Sequence, residues 1–254
     1  MRDQERSMFR TSNPAMNEGV FEHPVMESAD PMTLAGTIQK TGFLLLMLLA
    51  TAGAGWMFPS YAGLIGGVIV AIILGFVIGF KAHLAPVLAP AYALVEGYVV
   101  GVISFIAASS LAKTAYAGAV PIAVAGTMVT LAVMLTLYAT RIIRVTETMR
   151  SVIIGLTAAV ALLYLFSFVV GLFAPAFVSA FPIYQSGLIG IVFSVIVIGI
   201  AAFNFLLDFD LIERGVGNRA PKYMEWYAGF GLLVTMVWLY IEILRLLMKL
   251  ANNR

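Results

Sequence analysis

The residues best placed to do chemistry in this chain lie in one stretch, Asn204-Phe205-Leu206-Leu207-Asp208-Phe209-Asp210-Leu211-Ile212-Glu213-Arg214-Gly215. Its three acids close one long apolar run, and another long apolar run follows. Carboxylates at the end of a membrane helix are costly unless they stay wet, pair or have a job. At helical spacing the two aspartates diverge. Asp210 shares a polar face with Glu213 and Arg214, and Asp210 with Arg214 is a favourable i,i+4 pair. Asp208 shares its stripe with Asn204, Leu211 and Ile212, so it is expected to face the helix bundle. Asp210 and Glu213 are expected to cap the span at headgroup level. A carboxyl buried like Asp208 can hold a proton or a cation.

A second intramembrane acid is Glu96, followed by Gly97-x-x-x-Gly101. It lies some ten residues into an apolar run, roughly 15 Å deep at the helical rise. Its helical neighbours are Tyr92, Val99, Val100 and Ile103, with no base among them. In a low dielectric the neutral carboxyl is the cheap form, and a resting charge needs a cation or base nearby. Glu96 therefore reads either as a protonated glutamate bonded between packed helices or as an ion site. Glu225 and Glu242 stand in the last apolar stretch. Glu242 is three residues before Arg245 and reads as an ion pair at the outer rim. Lys81 and His83 lie in a short interhelical link. Histidine is the side chain best suited to a pH switch, although this one reads as interfacial.

Other chemistries are poorly represented. There are no cysteines and only two histidines, His23 and His83. No Ser/His/Asp or His-x-x-x-His arrangement occurs, so an enzyme is not expected, and neither is a cofactor. Two intramembrane aspartates suggest a protease, but the acids near Asp208 are two residues apart and the final helix carries no glycine-aspartate motif. Methionines and aromatics at helical spacing are packing and belt residues. A formal net charge of +2, without a basic patch interleaved with aromatics, argues against nucleic acid.

The elements that must position these acids follow from composition. The 254 residues are 61% hydrophobic and 11% charged, against about 25% charged in soluble domains. Seven continuous apolar segments approach the ~20 residues that cross ~30 Å of hydrocarbon. They cover 36–57, 62–80, 86–111, 118–140, 151–173, 186 to the acidic stretch, and 221–250. Continuous rather than alternating runs exclude a β-barrel. The expected fold is an all-α integral membrane protein with seven transmembrane helices in residues 36–254. Residues 1–35 are polar, show no cleavable signal peptide, and read as a flexible cytoplasmic arm. Gly75-x-x-x-Gly79 and Gly97-x-x-x-Gly101 both permit close helix contact. The turn Gly215-Val216-Gly217-Asn218 is expected to break the sixth span. The seventh is tilted, broken near Gly229-Phe230-Gly231, or projects from the membrane.

Orientation follows the basic residues of short loops. With the N-terminus inside, the inner segments carry Arg2, Arg6, Arg10, Lys40, Lys81, Arg141, Arg144, Arg150, Arg214, Arg219 and Lys222, eleven of the fifteen basic residues. The outer loops carry only Lys113. Arg245, Lys249 and Arg254 dissent, and re-entry of the last segment is the alternative. The expected location is the cell's inner, plasma membrane.

An aspartate ending the sixth span in the pattern Leu-Leu-Asp-x-x-Leu-Ile, a Gly-bearing turn and an aromatic-rich final helix together resemble the Bax inhibitor family, also named for the transmembrane Bax inhibitor motif. Trp238-Leu239-Tyr240-Ile241-Glu242-Ile243-Leu244-Arg245 is similar to the family's Leu-Tyr-Leu-Asp-Phe-Ile. Arg10-Thr11-Ser12-Asn13-Pro14 and Ala220-Pro221-Lys222-Tyr223-Met224-Glu225-Trp226-Tyr227 look like its bacterial YccA-like branch. The resemblance implies a seventh helix surrounded by the other six. It also implies a pH-sensitive calcium leak gated by acids on helices six and seven and a basic partner on helix two. Residue by residue, Asp208 matches the first acid, Glu242 the second, and Lys81 is the nearest candidate for the basic latch.

Height leaves the partner of Asp208 open. If the sixth helix ends near Gly215, Asp208 is ~10 Å from its inner end and Glu242 ~30 Å from the start of the seventh. Glu225 and Glu96 are closer in height. The pH-sensing and ion-pathway candidates are thus Asp208, Glu96, Glu225, Glu242 and Asp210, with Asp208 and Glu96 as the cation ligands. Two functions remain: a proton- or calcium-handling leak or transporter, or a regulatory scaffold that binds another integral membrane protein such as a protease or secretion component.

Overall fold

The computed structural model describes residues 30–253. Seven of its helices are long and apolar enough to cross a membrane. They are α1 (Leu34–Met57), α2 (Tyr61–Phe80), α3 (Ala85–Leu111), α4 (Ala119–Ala139), α5 (Glu147–Phe173), α7 (Leu188–Gly217) and α8 (Met224–Asn252). A 3-10 turn, Ala82–Leu84, joins α2 to α3, and a short α6 (Pro175–Ser179) lies between α5 and α7. Thr33, Ser60 and Thr146 start α1, α2 and α5 by accepting from the amides of Gly36, Gly63 and Met149, which satisfies donors a helix start leaves free. These are the segments expected from composition, and the protein is a multi-pass integral membrane protein.

The acids are positioned by α8, which packs on α1, α3, α4 and α7, while α2 lies on α3 and α5 on α7. The last helix is thus central, with α2 and α5 one layer out. Its Leu233, Leu239 and Leu244 are fully buried. Leu46, Leu162 and Ile196, on outward faces of α1, α5 and α7, stay exposed. In lipid, apolar burial does little to drive helix association, so contact depends on fit. Gly97 and Gly101 supply that fit: a Cβ on either would run into the backbone of α1 at Leu48 or Ala52. Gly75 and Gly79, expected to do the same for α2, do not. A Cβ at Gly79 would meet nothing within 4 Å, and one at Gly75 only the Tyr92 ring at 3.9 Å. They line a cavity instead.

α7 ends at Gly217 with Asn218 as its cap, inside the expected turn, and the left-handed residue just beyond is Arg219 at φ 52°. Two further expectations change. α8 is continuous through Gly229-Phe230-Gly231 for 29 residues, or ~43 Å at the helical rise, so it is neither broken nor re-entrant. Residues 30–33, placed with the arm, are tied down. Met32 donates its amide to Ala220 at 2.7 Å, Pro31 bridges Pro221, and Lys222 pairs with Asp30 at 3.1 Å. The rest of the expected arm, residues 1–29, lies outside the described residues.

The dissenting bases of α8 also find a place. Arg245 pairs with Glu242 at 3.0 Å and lies over the Tyr164 ring. Lys249 is buried, and its ammonium donates to the carbonyls of Ile183 and Gly190 and to Ser194 Oγ, all within 2.9 Å. Arg245 and Lys249 are thus satisfied inside the fold, and the third dissenting base, Arg254, lies outside the described residues.

Candidate functional site

Asp208 faces α8, as its stripe requires. One carboxylate oxygen accepts from Thr235 Oγ1 at 2.7 Å. The other lies 3.6 Å from where a Cβ of Gly231 would stand, an ordinary contact distance. Glu96 of α3 lines the same cavity, of about 900 Å³, together with Tyr92, Thr235 and apolar residues of α2 and α8. Tyr92 is held edge-on against Phe230 at 4.9 Å between ring centres. Glu96 forms no hydrogen bond or ion pair with another described residue. No described lysine or arginine pairs with either acid. The cavity thus brings together two carboxyls from different helices, two hydroxyls and no base.

Among the described residues no three His, Cys, Asp or Glu side chains converge as a metal cage. A cation at Asp208 and Glu96 would therefore meet two acids and keep other oxygen ligands, water among them. Calcium takes about six to eight oxygens, more than these two carboxyls supply.

The other expected site residues are elsewhere. Glu225 is buried at the start of α8, where Lys40 pairs with it and the Thr33 amide and hydroxyl donate to it at 2.8 and 2.9 Å. It fastens α1 to α8 and does not line the cavity. Glu242, expected at the outer rim, is 0% exposed, because the helix above it stays inside the bundle. Its second oxygen and the Tyr164 hydroxyl are buried without hydrogen-bond partners. Asp210, expected to be an interfacial cap, is buried against α5: Arg150 pairs with it, and Arg214 Nε is at 2.9 Å. The i,i+4 pair is present, but it extends to a neighbouring helix. Lys81 caps α2 in an exposed position and forms no ion pair with Asp208, so the expected latch is not made.

Sequence periodicity missed three partners, Thr235, Lys40 and Arg150. Each meets its acid across at least 27 residues of chain, beyond the reach of any one-helix pattern. Arg150 carried a signal of a kind, being one of the bases that close the fourth-to-fifth loop.

Seven helices long enough to cross a membrane, one of them central, with two acids lacking ionic partners in a cavity beside it, define a multi-pass membrane bundle. The family model described as Bax inhibitor 1 like matches residues 13–252, and the chain belongs to that family. A comparison with curated proteins finds no match.

Proposed function

We propose that the protein is a pH-sensitive cation leak or transporter of the inner membrane, passing calcium, with Asp208 and Glu96 as the groups that gain and lose protons. The observation that supports this is their common cavity. Two carboxyls from α7 and α3 line it, and no base neutralises either. Protonated, they leave the cavity uncharged and the helices beside α8 at rest. Deprotonated, they place two negative charges on the wall of a low-dielectric cavity, which attracts a cation. The oxygens of Asp208, Glu96, Thr235 and Tyr92 are of the hard type calcium prefers.

The bases of the α4–α5 and α7–α8 links gather at the end of the bundle where α1 begins, and the positive-inside bias puts that end, with the N-terminus, in the cytoplasm. The arm and final-helix strings favour the bacterial YccA-like branch of the family.

The test is calcium entry into liposomes containing purified protein, across about pH 6 to 8. Asp208→Asn and Glu96→Gln are expected to flatten the pH response, whereas Glu225→Gln and Glu242→Gln leave it standing. Wild type that passes no cation at any pH sinks the leak reading and leaves the regulatory scaffold.

A further inference from the structure

We infer that the cavity of Glu96 and Asp208 is also a binding site for an amphiphilic organic cation, a quaternary ammonium or phosphonium bearing apolar groups, which enters from the bilayer between α2 and α5. The inference rests on the reading that these two acids ionise in the cavity.

Charge selects the sign of the ligand. Of the acids in the described residues, Asp30, Glu147, Asp210, Glu213, Glu225 and Glu242 each pair with a lysine or arginine. Glu96 and Asp208 have no such partner, and both line one cavity. A bilayer interior tolerates unpaired carboxylates only when they are protonated or matched by a cation. The cation that matches them has to come from outside the chain.

Size and lining select the rest of the ligand. The volume is about 900 Å³, within the ~300–1,000 Å³ of pockets that bury drug-sized molecules. Phe76, Phe80, Tyr92 and Phe230 supply aromatic faces and edges, with aliphatic side chains between them. An inorganic ion gains nothing from aliphatic walls. An organic cation buries its apolar groups against them, and aromatic faces attract its charge. Gly75 and Gly79 of α2 add room, since a Cβ on either would stand clear of close contact.

Access is lateral. A second apolar groove of about 390 Å³ shares Val68, Ile72, Phe76 and Ala161 with the cavity and continues outward along Leu162 and Leu165 of α5. Phe76 and Leu162 are both more than half exposed on the lipid-facing surface. α2 packs on α3 and α5 on α7, and the two outer helices do not pack closely on each other, which leaves a seam between them. An amphiphile dissolved in the bilayer reaches the acids through this seam without crossing water.

The test is equilibrium binding of tetraphenylphosphonium to the full chain in lipid nanodiscs at about pH 8, with triphenylphosphine oxide as the uncharged analogue. Wild type is expected to bind the phosphonium saturably and the oxide at least about tenfold more weakly. Glu96→Gln and Asp208→Asn are each expected to weaken binding about tenfold. Gly75→Leu keeps both acids but fills the cavity, and is expected to do the same. Glu147→Gln, far from the cavity, is expected to bind as wild type. Absence of saturable binding by wild type overturns the inference, as does equal binding of the oxide. If an acid variant fails to fold, Gly75→Leu and the uncharged analogue still decide. Binding needs no ion gradient, so its outcome is separate from flux. A protein that binds the phosphonium and passes no calcium loses only the leak reading, and one that passes calcium without binding loses only this site.

Discussion

Thr235 of α8 donates its hydroxyl to Asp208 of α7 at 2.7 Å, and this bond fixes the height of the acid on the central helix. Glu242 lies two turns further along α8, about 10 Å away at 1.5 Å per residue, with Arg245 as its own partner. The acids on the last two helices therefore stand at different levels. The carboxyl that shares a cavity with Asp208 is Glu96, from α3.

The Thr235 bond is testable by itself. Thr235→Val keeps the shape and removes the donor, leaving a half-buried acceptor unsatisfied at a cost of about 1 kcal/mol. Chemical unfolding in detergent should show that loss, and Thr235→Ser should recover most of it. A valine variant as stable as wild type would mean that Asp208 gains nothing from the hydroxyl.

Asp210 offers a second test, because its environment reverses the expectation drawn from its helix face. An interfacial cap changes silently to asparagine. Asp210 instead receives Arg150 from α5 and Arg214 from its own helix. Asp210→Asn should cost about 1–2 kcal/mol, less than the loss of a fully buried pair because both arginines are partly exposed. The double variant Asp210→Asn with Arg150→Met should lose less than the sum of the singles. Additive losses in that cycle would show that the pair is not coupled.

How much was legible in the sequence follows from what each feature depends on. The seven spans depend on run length and hydropathy, both local, and they emerge within a few residues of α1 to α5, α7 and α8. The orientation of Asp208 toward α8 depends on helical periodicity and was legible too. Partner identity was not. Lys40 with Glu225, and Arg150 with Asp210, join helices far apart in the chain. The rise along two separate helices placed Glu225 at a plausible height for Asp208, but gave no azimuth, and Glu225 points to α1. Burial of Glu242 was missed for a related reason: its distance from the helix start suggested the outer rim, while α8 is enclosed there by the bundle. The two glycine pairs look alike in sequence, and only the packing of α3 on α1 tells them apart.

That difference yields a third prediction. Gly101→Ala forces a Cβ into the Ala52 backbone of α1, and such overpacking costs about 1–3 kcal/mol. Gly79→Ala adds a Cβ to open space, and replacing a helical glycine with alanine gains up to about 1 kcal/mol in helix propensity. Thermal melts of the two variants should move in opposite directions. A parallel shift would show that α1 and α3 do not depend on the close approach at Gly101.

The proposed pH response constrains which groups can act. The hydrogen bond that Lys222 donates to Asp30 raises its ammonium above the ordinary 10.5. A raised folded value means that the contribution is fully present below the unfolded value and is lost only as pH rises through the folded one. Arg141, raised first by its hydrogen bond to Glu213, behaves in the same sense at still higher pH. Neither base changes charge between about pH 6 and 8. Asp30→Asn should therefore leave the shape of the flux curve over that range unaltered. A flattened curve in Asp30→Asn would move the sensor from the cavity to the strap at residues 30–33.

The last prediction separates the two possible partners of Asp208. Glu242 is buried, bonded to Arg245 and beside a Tyr164 hydroxyl that has no partner. Glu242→Gln removes the charge that balances Arg245, and the guanidinium is left against the Tyr164 ring. Removing one member of a buried pair costs about 3–5 kcal/mol, so this variant should unfold at lower temperature. The pair lies outside the cavity, so in protein that remains folded the pH dependence of calcium entry should keep its midpoint. Glu96→Gln should do the reverse. Its carboxyl has no ionic partner to orphan, so stability should hold or rise, while the pH response flattens. Melting curves and flux curves on the same preparations read both quantities. If Glu242→Gln flattens the response and Glu96→Gln does not, the sensor runs along α8 from Thr235 to Arg245, and the shared cavity is not its seat.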